Sequence, residues 1–501
     1  MLQQNWYNDS NRYVKWAFKN LHQVINKKEL FVFVLLCLSE NIIFHFLVGA
    51  YHLALTYDLI KNSKQEQVKK PLVNTPRIKR LKFTTYLLLL LTVYVGSLYS
   101  LNIMYAGVFL FSILIFKMVY LANILNKPIE KLVYLHYKTK AQNKLKNINH
   151  LEVIGITGSY GKTSSKNILN DILNVKYNAY ATPKSFNTPY GIIIAINNNL
   201  DKFTDYFIAE MGAFYRGEIK GMAKLVKPKY GILTIIGKAH LDTFGSQENI
   251  MHGKFELIES LDKDGTAVLN ADDERQIEYV ANHLKNTCDI KWISINNDSA
   301  DYQAKNIKIS GIGTTFDVHF KKLDQTHTFT TKLLGKENIY NILAGIALGH
   351  LFGMNIEELQ RGVSKVNTIQ HRLELKKYKH INIIDDAYNS NPVGAKMALD
   401  VLNLMDGKKI VVTPGMIELG EEQKEINKTF GKQIAQVADA IILIGEKQTK
   451  DILEGIQEEK YKKENIYILN DVKQAFPLIE QLSDDKTYVL LENDLPDLFN
   501  E

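Results

Sequence analysis

One stretch constrains this chain more than any other: Ile154-Gly155-Ile156-Thr157-Gly158-Ser159-Tyr160-Gly161-Lys162-Thr163-Ser164. It reads as a buried strand, 151–157, breaking into a glycine-bracketed loop, with a helix expected to start at Lys162 or Thr163. Such a turn aims backbone N–H groups and a helix N-terminus at one point, which suits a phosphate. Lys162 adds a point charge for the β- and γ-phosphates, and the Thr163 hydroxyl can ligate Mg²⁺. The spacing is not a full Walker pattern, because Ile156 stands where the first glycine belongs; Gly158-x-x-Gly161-Lys162-Thr163-Ser164 remains. Alone, the motif says "nucleotide phosphate". The competing reading is an ordinary Gly-containing strand–helix turn.

The 501 residues leave room for three domains. With 46% hydrophobic and 23% charged residues, broad disorder is not expected. The net charge of +7 invites a nucleic-acid reading, but much of the excess lies beside apolar segments near the N-terminus and no recognition motif accompanies it. That pattern points to the cytoplasmic face of a membrane and away from nucleic acid. The two cysteines, Cys37 and Cys288, exclude a disulfide framework and a thiolate metal site.

Residues 1–150 are expected to form a membrane region with two or three apolar segments, 31–55, 83–101 and 104–125. The latter two are each about the ~20 residues that span hydrocarbon. The intervening stretch 61–82 carries eight Lys/Arg, and 127–146 is also basic, so both should face the cytoplasm and 83–125 should form a membrane hairpin. Segment 31–55 carries Glu40, Asn41 and His45; it either spans, re-enters or lies in the interface. Arg12, Lys15, Trp16 and Lys19 fit an interfacial helix. The first thirty residues are too polar for a signal-peptide core. A soluble apolar hairpin is the alternative. The expected location is the cell membrane, with the catalytic domains in the cytoplasm.

From 151 to 353 strands and helices alternate, which implies a mainly parallel α/β sheet. Strands are expected at 206–211, 230–236 and 265–270, and helices at 166–175, 217–226 and 250–261. Residues 182–191 read as a loop, 302–333 as an antiparallel addition, and 336–351 as an amphipathic helix. Ligands in such sheets sit at the C-terminal ends of strands. Thr163, Glu210 and His240 fall there, and a carboxylate and hydroxyl beside a phosphate loop suit Mg²⁺. Singly, Glu210 reads equally as a loop salt bridge and His240 as a capped strand-end histidine. From 354 to 501 a second, smaller α/β sheet is expected, with strands at 382–384, 409–413, 440–444 and 488–491 and a helix at 392–404. Its polar strand end, Asp385-Asp386-Ala387-Tyr388-Asn389-Ser390-Asn391-Pro392, reads as a binding loop or as an ordinary helix cap.

These segments together resemble the Mur ligases, ATP-dependent amide-forming enzymes of peptidoglycan synthesis. The likeness is closest to the type that adds D-alanyl-D-alanine to UDP-N-acetylmuramoyl-tripeptide. It rests on the loop 157–164, on Glu210-Met211-Gly212-Ala213, and on Ala239-His240-Leu241 with Phe244-Gly245-Ser246. Gly253-Lys254-Phe255-Glu256, Gly335-Lys336-Glu337-Asn338, His371-Arg372-Leu373-Glu374, the Asp385–Pro392 motif and Met416-Ile417-Glu418-Leu419-Gly420 complete it. The resemblance implies a P-loop-type parallel-sheet central domain and a Rossmann-like α/β C-terminal domain. It implies ATP and Mg²⁺ as cofactors, with Glu210, His240, Thr163 and a carbamylated Lys254 about the metals. Gly158, Gly161, Lys162, Thr163 and Ser164 would hold the phosphates. Arg372 would touch them too, Asn338 and the nearby Asn341 would lie on the adenine side, and Asp386 would hold the ribose. Tyr388 and Asn389 would lie near adenosine and the incoming amine. Lys162, His240 and Lys254 would be the catalytic set.

The implied partners are a muramoyl-peptide carboxylate, activated as an acyl phosphate, and an amine such as D-alanyl-D-alanine, with other cell-wall enzymes as further partners of a monomer. The resemblance covers about 350 residues from 151 onward, where the segments quoted above lie. The family's N-terminal UDP-binding domain has no counterpart in it; membrane segments are expected in its place. Relatives with the same core make poly-γ-glutamate or folyl-polyglutamate, so another amide is an alternative product. A non-catalytic ATP-binding membrane scaffold is the alternative of a different class.

Overall fold

The computed structural model describes residues 10–19, 50–51, 54, 73–237, 240–285, 288–310, 313–368, 371–387, 391–417, 419 and 422–493. The chain divides into two compact units, Met1–His136 and Tyr137–Glu501.

The first unit is helical. Its described helices are Ser10–Lys19, Pro76–Ser97, Leu101–Ile113 and the start of Ile115–Lys146. Pro76 opens its helix at a position where a missing N–H costs nothing, and Thr75 caps it. At Gly96 a Cβ would come within 2.6 Å of the Met104 Cα, so only glycine lets these two helices meet there. Arg80 holds Glu130 through two hydrogen bonds of 2.8 and 3.1 Å, and Thr84 bonds Asn126 at 2.9 Å.

Two expectations change here. The apolar segment 83–101 belongs to a helix that starts at Pro76 and ends at Ser97. Segment 104–125 is not one span: Leu114 leaves the helical region (φ −97°, ψ 20°), and the helices on either side are bent by 84°. Among the described residues no single helix is long and apolar enough to cross a membrane, although that bent pair passes by length and composition. The helix Ser10–Lys19, read as interfacial, buries Tyr13 and Ala17 against Leu81, Phe116 and Ala122. Segment 31–55 lies outside the described residues apart from 50, 51 and 54.

The second unit carries two sheets. In chain order the first comprises β1 (Glu152–Thr157), β2 (Ala179–Ala181), β3 (Tyr206–Glu210), β4 (Tyr230–Leu233), β5 (Thr266–Asn270), β6 (Asp289–Ser294), β7 (Tyr302–Ser310), β8 (Gly313–Phe320) and β9 (Gln325–Thr331). Their spatial order is β2-β3-β1-β4-β5-β6-β7-β8-β9. The first seven are parallel, and β7, β8 and β9 pair antiparallel. The chain leaves β1 for β2 and β3 on one side and reaches β4 on the other. The crevice of an open α/β sheet therefore falls at the C-terminal end of β1. Continuous apolar strands such as Ile154–Ile156 and Phe207–Ala209 are buried, as a sheet covered on both faces requires.

The loop 182–191 is shorter than expected. Pro189 starts a helix, Pro189–Asn199, whose first turn is capped by Thr188. The helix Lys336–Leu351 has the expected limits, but it is not amphipathic: Ile339 and every residue from Asn341 to Gly349 are buried. Helix Ile356–Lys365, beyond the expected boundary at 354, still buries Leu359 and Val363 in the central core.

The second sheet comprises β10 (Glu374–Tyr378), β11 (Ile381–Asp386), β12 (Lys408–Thr413), β13 (Ala440–Ile444), β14 (Ile466–Leu469) and β15 (Thr487–Glu492). Their order is β10-β11-β15-β12-β13-β14, parallel except for the edge strand β10. Leu334 is buried in this C-terminal core, whereas Ile339 is buried in the central one. Gly335 (φ +87°) separates the two, and its missing side chain leaves room for Leu373.

Candidate active site

The phosphate loop follows β1. Gly158 (φ +150°) passes so close to Thr234 that a Cβ would lie 1.9 Å from its Oγ1, and Gly161 (φ +78°) opens the helix Lys162–Leu173. The Ser159 N–H donates to the Ile235 carbonyl at 2.8 Å, and its hydroxyl donates to the Gly237 carbonyl at 3.1 Å. The loop is thus pinned to the segment after β4. Lys162 Nζ folds back on the loop, donating to the carbonyls of Gly158 (2.7 Å) and Ser159 (3.0 Å). Burial lowers its pKa to about 8, with Glu210 opposing the shift and Arg372 adding to it.

Glu210 ends β3, fully buried. Its Oε1 accepts from the Thr163 hydroxyl (3.0 Å) and the Asn187 amide (3.2 Å). Its Oε2 lies 3.1 Å from the equally buried Lys166 Nζ, and has no hydrogen-bond partner of good geometry. Lys166 and Asn187 were not singled out in the sequence. The signal for Lys166 is its place four residues after Lys162 on one helix, hence on the same face. Asn187 gave none beyond being an amide in the polar loop.

His240 (φ +60°) follows β4, its ring centroid 4.4 Å from that of Phe214. It lines the same cleft as Lys162, Thr163 and Glu210. Lys254 lies beneath, wholly buried on the helix Gln247–Phe255, with Nζ 3.5 Å from the Ala213 carbonyl and 5.4 Å from the Phe244 ring centroid. Burial first, and then the Lys162 charge, drive its pKa well below the ordinary lysine value. Its amine therefore gives up its proton more readily than an ordinary lysine.

The opposite wall of the cleft comes from the C-terminal sheet and the first turn of the helix Lys336–Leu351. Arg372, Leu373, Asp386, Asn391, Glu337 and Asn338 line it. Arg372 sits between two residues in the left-handed region, His371 (φ +60°) and Leu373 (φ +47°). Carboxylates hold both: His371 Nδ1 pairs with Asp385 Oδ2 at 2.8 Å, and the Leu373 N–H donates to Asp386 Oδ1 at 3.0 Å. Burial pushes the Asp386 carboxyl up to about 6. Asn338 donates to the Leu334 carbonyl at 2.8 Å, and buried Asn341 lies under Gly161. Tyr388 and Asn389 lie outside the described residues. Gly158, which shapes the loop, does not line the cleft, while Gly161 and Ser164 do.

Among the described residues no three His, Cys, Asp or Glu side chains form a ready cation cluster. What fits a hard cation is the Thr163–Glu210 oxygen pair, with one carboxylate oxygen unsatisfied. A protonated Lys254 would repel a cation, so that lysine fits a metal only once carbamylated.

Two family models match this chain: the Mur ligase middle domain over residues 156–349 and the Mur ligase glutamate ligase domain over residues 371–491. The UDP-N-acetylmuramoyl-tripeptide–D-alanyl-D-alanine ligase of Bacillus subtilis is 31% identical over 62% of this chain and 71% of its own length. Its Escherichia coli counterpart is 28% identical over 58% of this chain and 64% of its own length. The crystal structure of MurF ligase from Thermotoga maritima in complex with ADP superimposes with a TM-score of 0.64 at 25% identity, covering 72% of this chain and 80% of that one. The chain belongs to the Mur ligase family.

Proposed function

We propose that the chain is an ATP-dependent, ADP-forming ligase that adds D-alanyl-D-alanine to the carboxylate of a UDP-muramoyl-tripeptide in peptidoglycan synthesis. One observation carries this most. The phosphate loop and the Thr163–Glu210 pair face Arg372 and Asp386 across a single cleft built by two domains. The names of the relatives support the choice of substrates.

In this reading ATP phosphorylates the substrate carboxylate. The amine attacks the acyl phosphate, and phosphate leaves from a tetrahedral intermediate. The protein positions the reactants and offsets charge. Lys162 exchanges its two loop carbonyls for phosphate oxygens, and Arg372 approaches the same phosphates from the other wall. Asp386 takes the ribose side, and Asn338 and Asn341 the base side. Mg²⁺, where bound, neutralises the phosphates; Thr163, Glu210, His240 and carbamylated Lys254 are the residues for it. The lowered proton affinity of the Lys254 amine supports carbamylation, since attack on CO₂ needs a free lone pair.

The first unit is read as a membrane attachment, with the catalytic unit on the cytoplasmic side. Phe83, Leu87, Leu90, Leu91, Tyr94 and Leu98 are exposed on or just beyond the helix Pro76–Ser97, more apolar surface than water readily covers. An acceptor near the membrane is then as fitting as a soluble one.

Phosphate release by the detergent-solubilised protein tests the reading. UDP-muramoyl-tripeptide and its lipid-linked form are each supplied with and without D-alanyl-D-alanine. Release that needs both acceptor and amine is expected. ATP binding without release under any of these conditions would favour the scaffold alternative.

A further inference from the structure

The cleft contains one carboxyl group to which neither the phosphate loop nor the family resemblance gives a role. Glu337 occupies the first turn of the helix Lys336–Leu351. Its Oε1 is buried and accepts no hydrogen bond. An acid at a helix N-terminus is ordinary, but a buried, unsatisfied carboxylate oxygen is costly unless a ligand supplies a donor. Glu337 lines the cleft together with Lys162, Arg372 and Asp386. Burial, with the Asp386 charge beside it, raises its pKa to about 7 against the pull of Arg372. Asp386 itself is already engaged, accepting the Leu373 N–H and sharing a hydrogen bond with buried Glu492.

The donors of a nucleoside triphosphate are few. Its phosphates have none, the base of ATP has one exocyclic amine, and the ribose has two adjacent hydroxyls. Two neighbouring carboxyls match a vicinal diol better than a single amine, and the ribose is the part next to the phosphates that the loop anchors. We infer that Glu337 is a specificity-determining residue that accepts a ribose hydroxyl of the nucleotide, sharing the diol with Asp386. This rests on the ATP-binding reading above.

The test is equilibrium binding of ATP, 2′-deoxy-ATP, 3′-deoxy-ATP and inosine triphosphate, with Mg²⁺, to the full chain and to its Glu337→Ala and Glu337→Gln variants. The ratio of affinities within each protein is read, since it is insensitive to a general loss of folded protein or to a change in net charge. The unmodified chain should bind at least one deoxy analogue about tenfold more weakly than ATP, as loss of one charge-assisted bond predicts. Glu337→Ala should bring that ratio close to one. Glu337→Gln, whose amide oxygen still accepts, should keep most of it. Equal binding of ATP and both deoxy analogues by the unmodified chain overturns the inference, as do ratios that survive Glu337→Ala for both analogues, whereas Asp386 keeps at most the ratio for the other hydroxyl. Loss in Glu337→Ala of a preference for ATP over inosine triphosphate, with the ribose ratio unchanged, would place the base amine at Glu337 and also overturn it. An unmodified chain that binds no ATP overturns the ligase reading, and this inference with it.

Discussion

The two walls of the cleft are built on different principles. On the loop wall nearly every charged group has a partner within the chain. Lys162 is tied to two loop carbonyls, and Glu210 is held by Thr163, Asn187 and Lys166. On the opposite wall burial raises the pKa of both Glu337 and Asp386, the Asp386 charge adds to the shift of Glu337, and one Glu337 oxygen has no hydrogen bond. The first wall is mostly paired within the chain before any ligand arrives, Glu210 Oε2 against the Lys166 ammonium included; the second leaves Glu337 Oε1 with no donor. A polar site need not be preorganised uniformly, and the unsatisfied half is where ligand specificity is best sought.

The largest expected effect is on the fixed wall. Lys162→Ala should cut ATP turnover by about a hundred- to a thousandfold, the usual loss when one preorganised charge is removed. Thermal unfolding should change little, because Lys162 only bonds carbonyls of its own loop. Steady-state phosphate release with circular dichroism melting checks both halves, and unchanged turnover would break the comparison.

Next is Lys166→Met. It leaves Glu210 buried without its cation, which typically costs about 3–5 kcal/mol. A fall of several degrees in the melting temperature of the second unit is expected. Removal of both charges in Lys166→Met/Glu210→Gln should recover much of that loss while activity stays low.

A smaller effect concerns pH on the ligand-seeking wall. The folded pKa of Glu337, about 7, exceeds the ordinary glutamate value, so the folded chain holds this proton more tightly than the unfolded chain. That contribution to stability is fully present below the unfolded value and is lost as pH rises through about 7. Asp386, raised to about 6, acts in the same direction, with Arg372 opposing both. Denaturant titrations from pH 5 to 8 without nucleotide should show stability falling with pH, and Glu337→Gln should flatten the slope. An unchanged slope would mean that this wall is as well satisfied as the other.

The smallest change in fold stability belongs to the first unit. Leu87→Lys with Leu90→Lys alters exposed positions, 54% and 63% accessible, so folding should shift by no more than about 0.5 kcal/mol each. Flotation with lipid vesicles should nevertheless drop sharply if these residues meet a membrane; unchanged flotation would remove that role from the helix.

The loop wall was largely legible in the sequence. Its residues fall at strand ends and at a strand–helix turn, where spacing alone places them, so Lys162, Thr163, Glu210 and His240 are together in the cleft as expected. Lys166 escaped notice because it lies on a helix and its partner ends a strand more than forty residues on, and no local pattern announces a buried ion pair. Glu337 escaped for the opposite reason: an acid in a first helical turn is so common that it carries no signal until burial is known. The antiparallel edge strand β10 went unread because its short, charged sequence lacks a buried strand's apolar run. The N-terminal apolar segments were visible, but their limits were not: Leu114 is as apolar as its neighbours, and the break there is a matter of backbone angles.

The proximity of Leu334 and Ile339, one in each core, has a mechanical consequence. Four residues, Gly335 among them, separate two anchored side chains, so the C-terminal and central cores are tied closely together at this point. A swing of the C-terminal core about this point would have Gly335 as its axle and the deeply buried helix Lys336–Leu351 as the fixed mount. Glu337 and Asn338, beside that axle, travel least in such a swing, while residues farther out on the C-terminal sheet sweep a wider arc. The nucleoside end of the cleft would then keep its shape through each turnover, and the outer end would do the opening and closing.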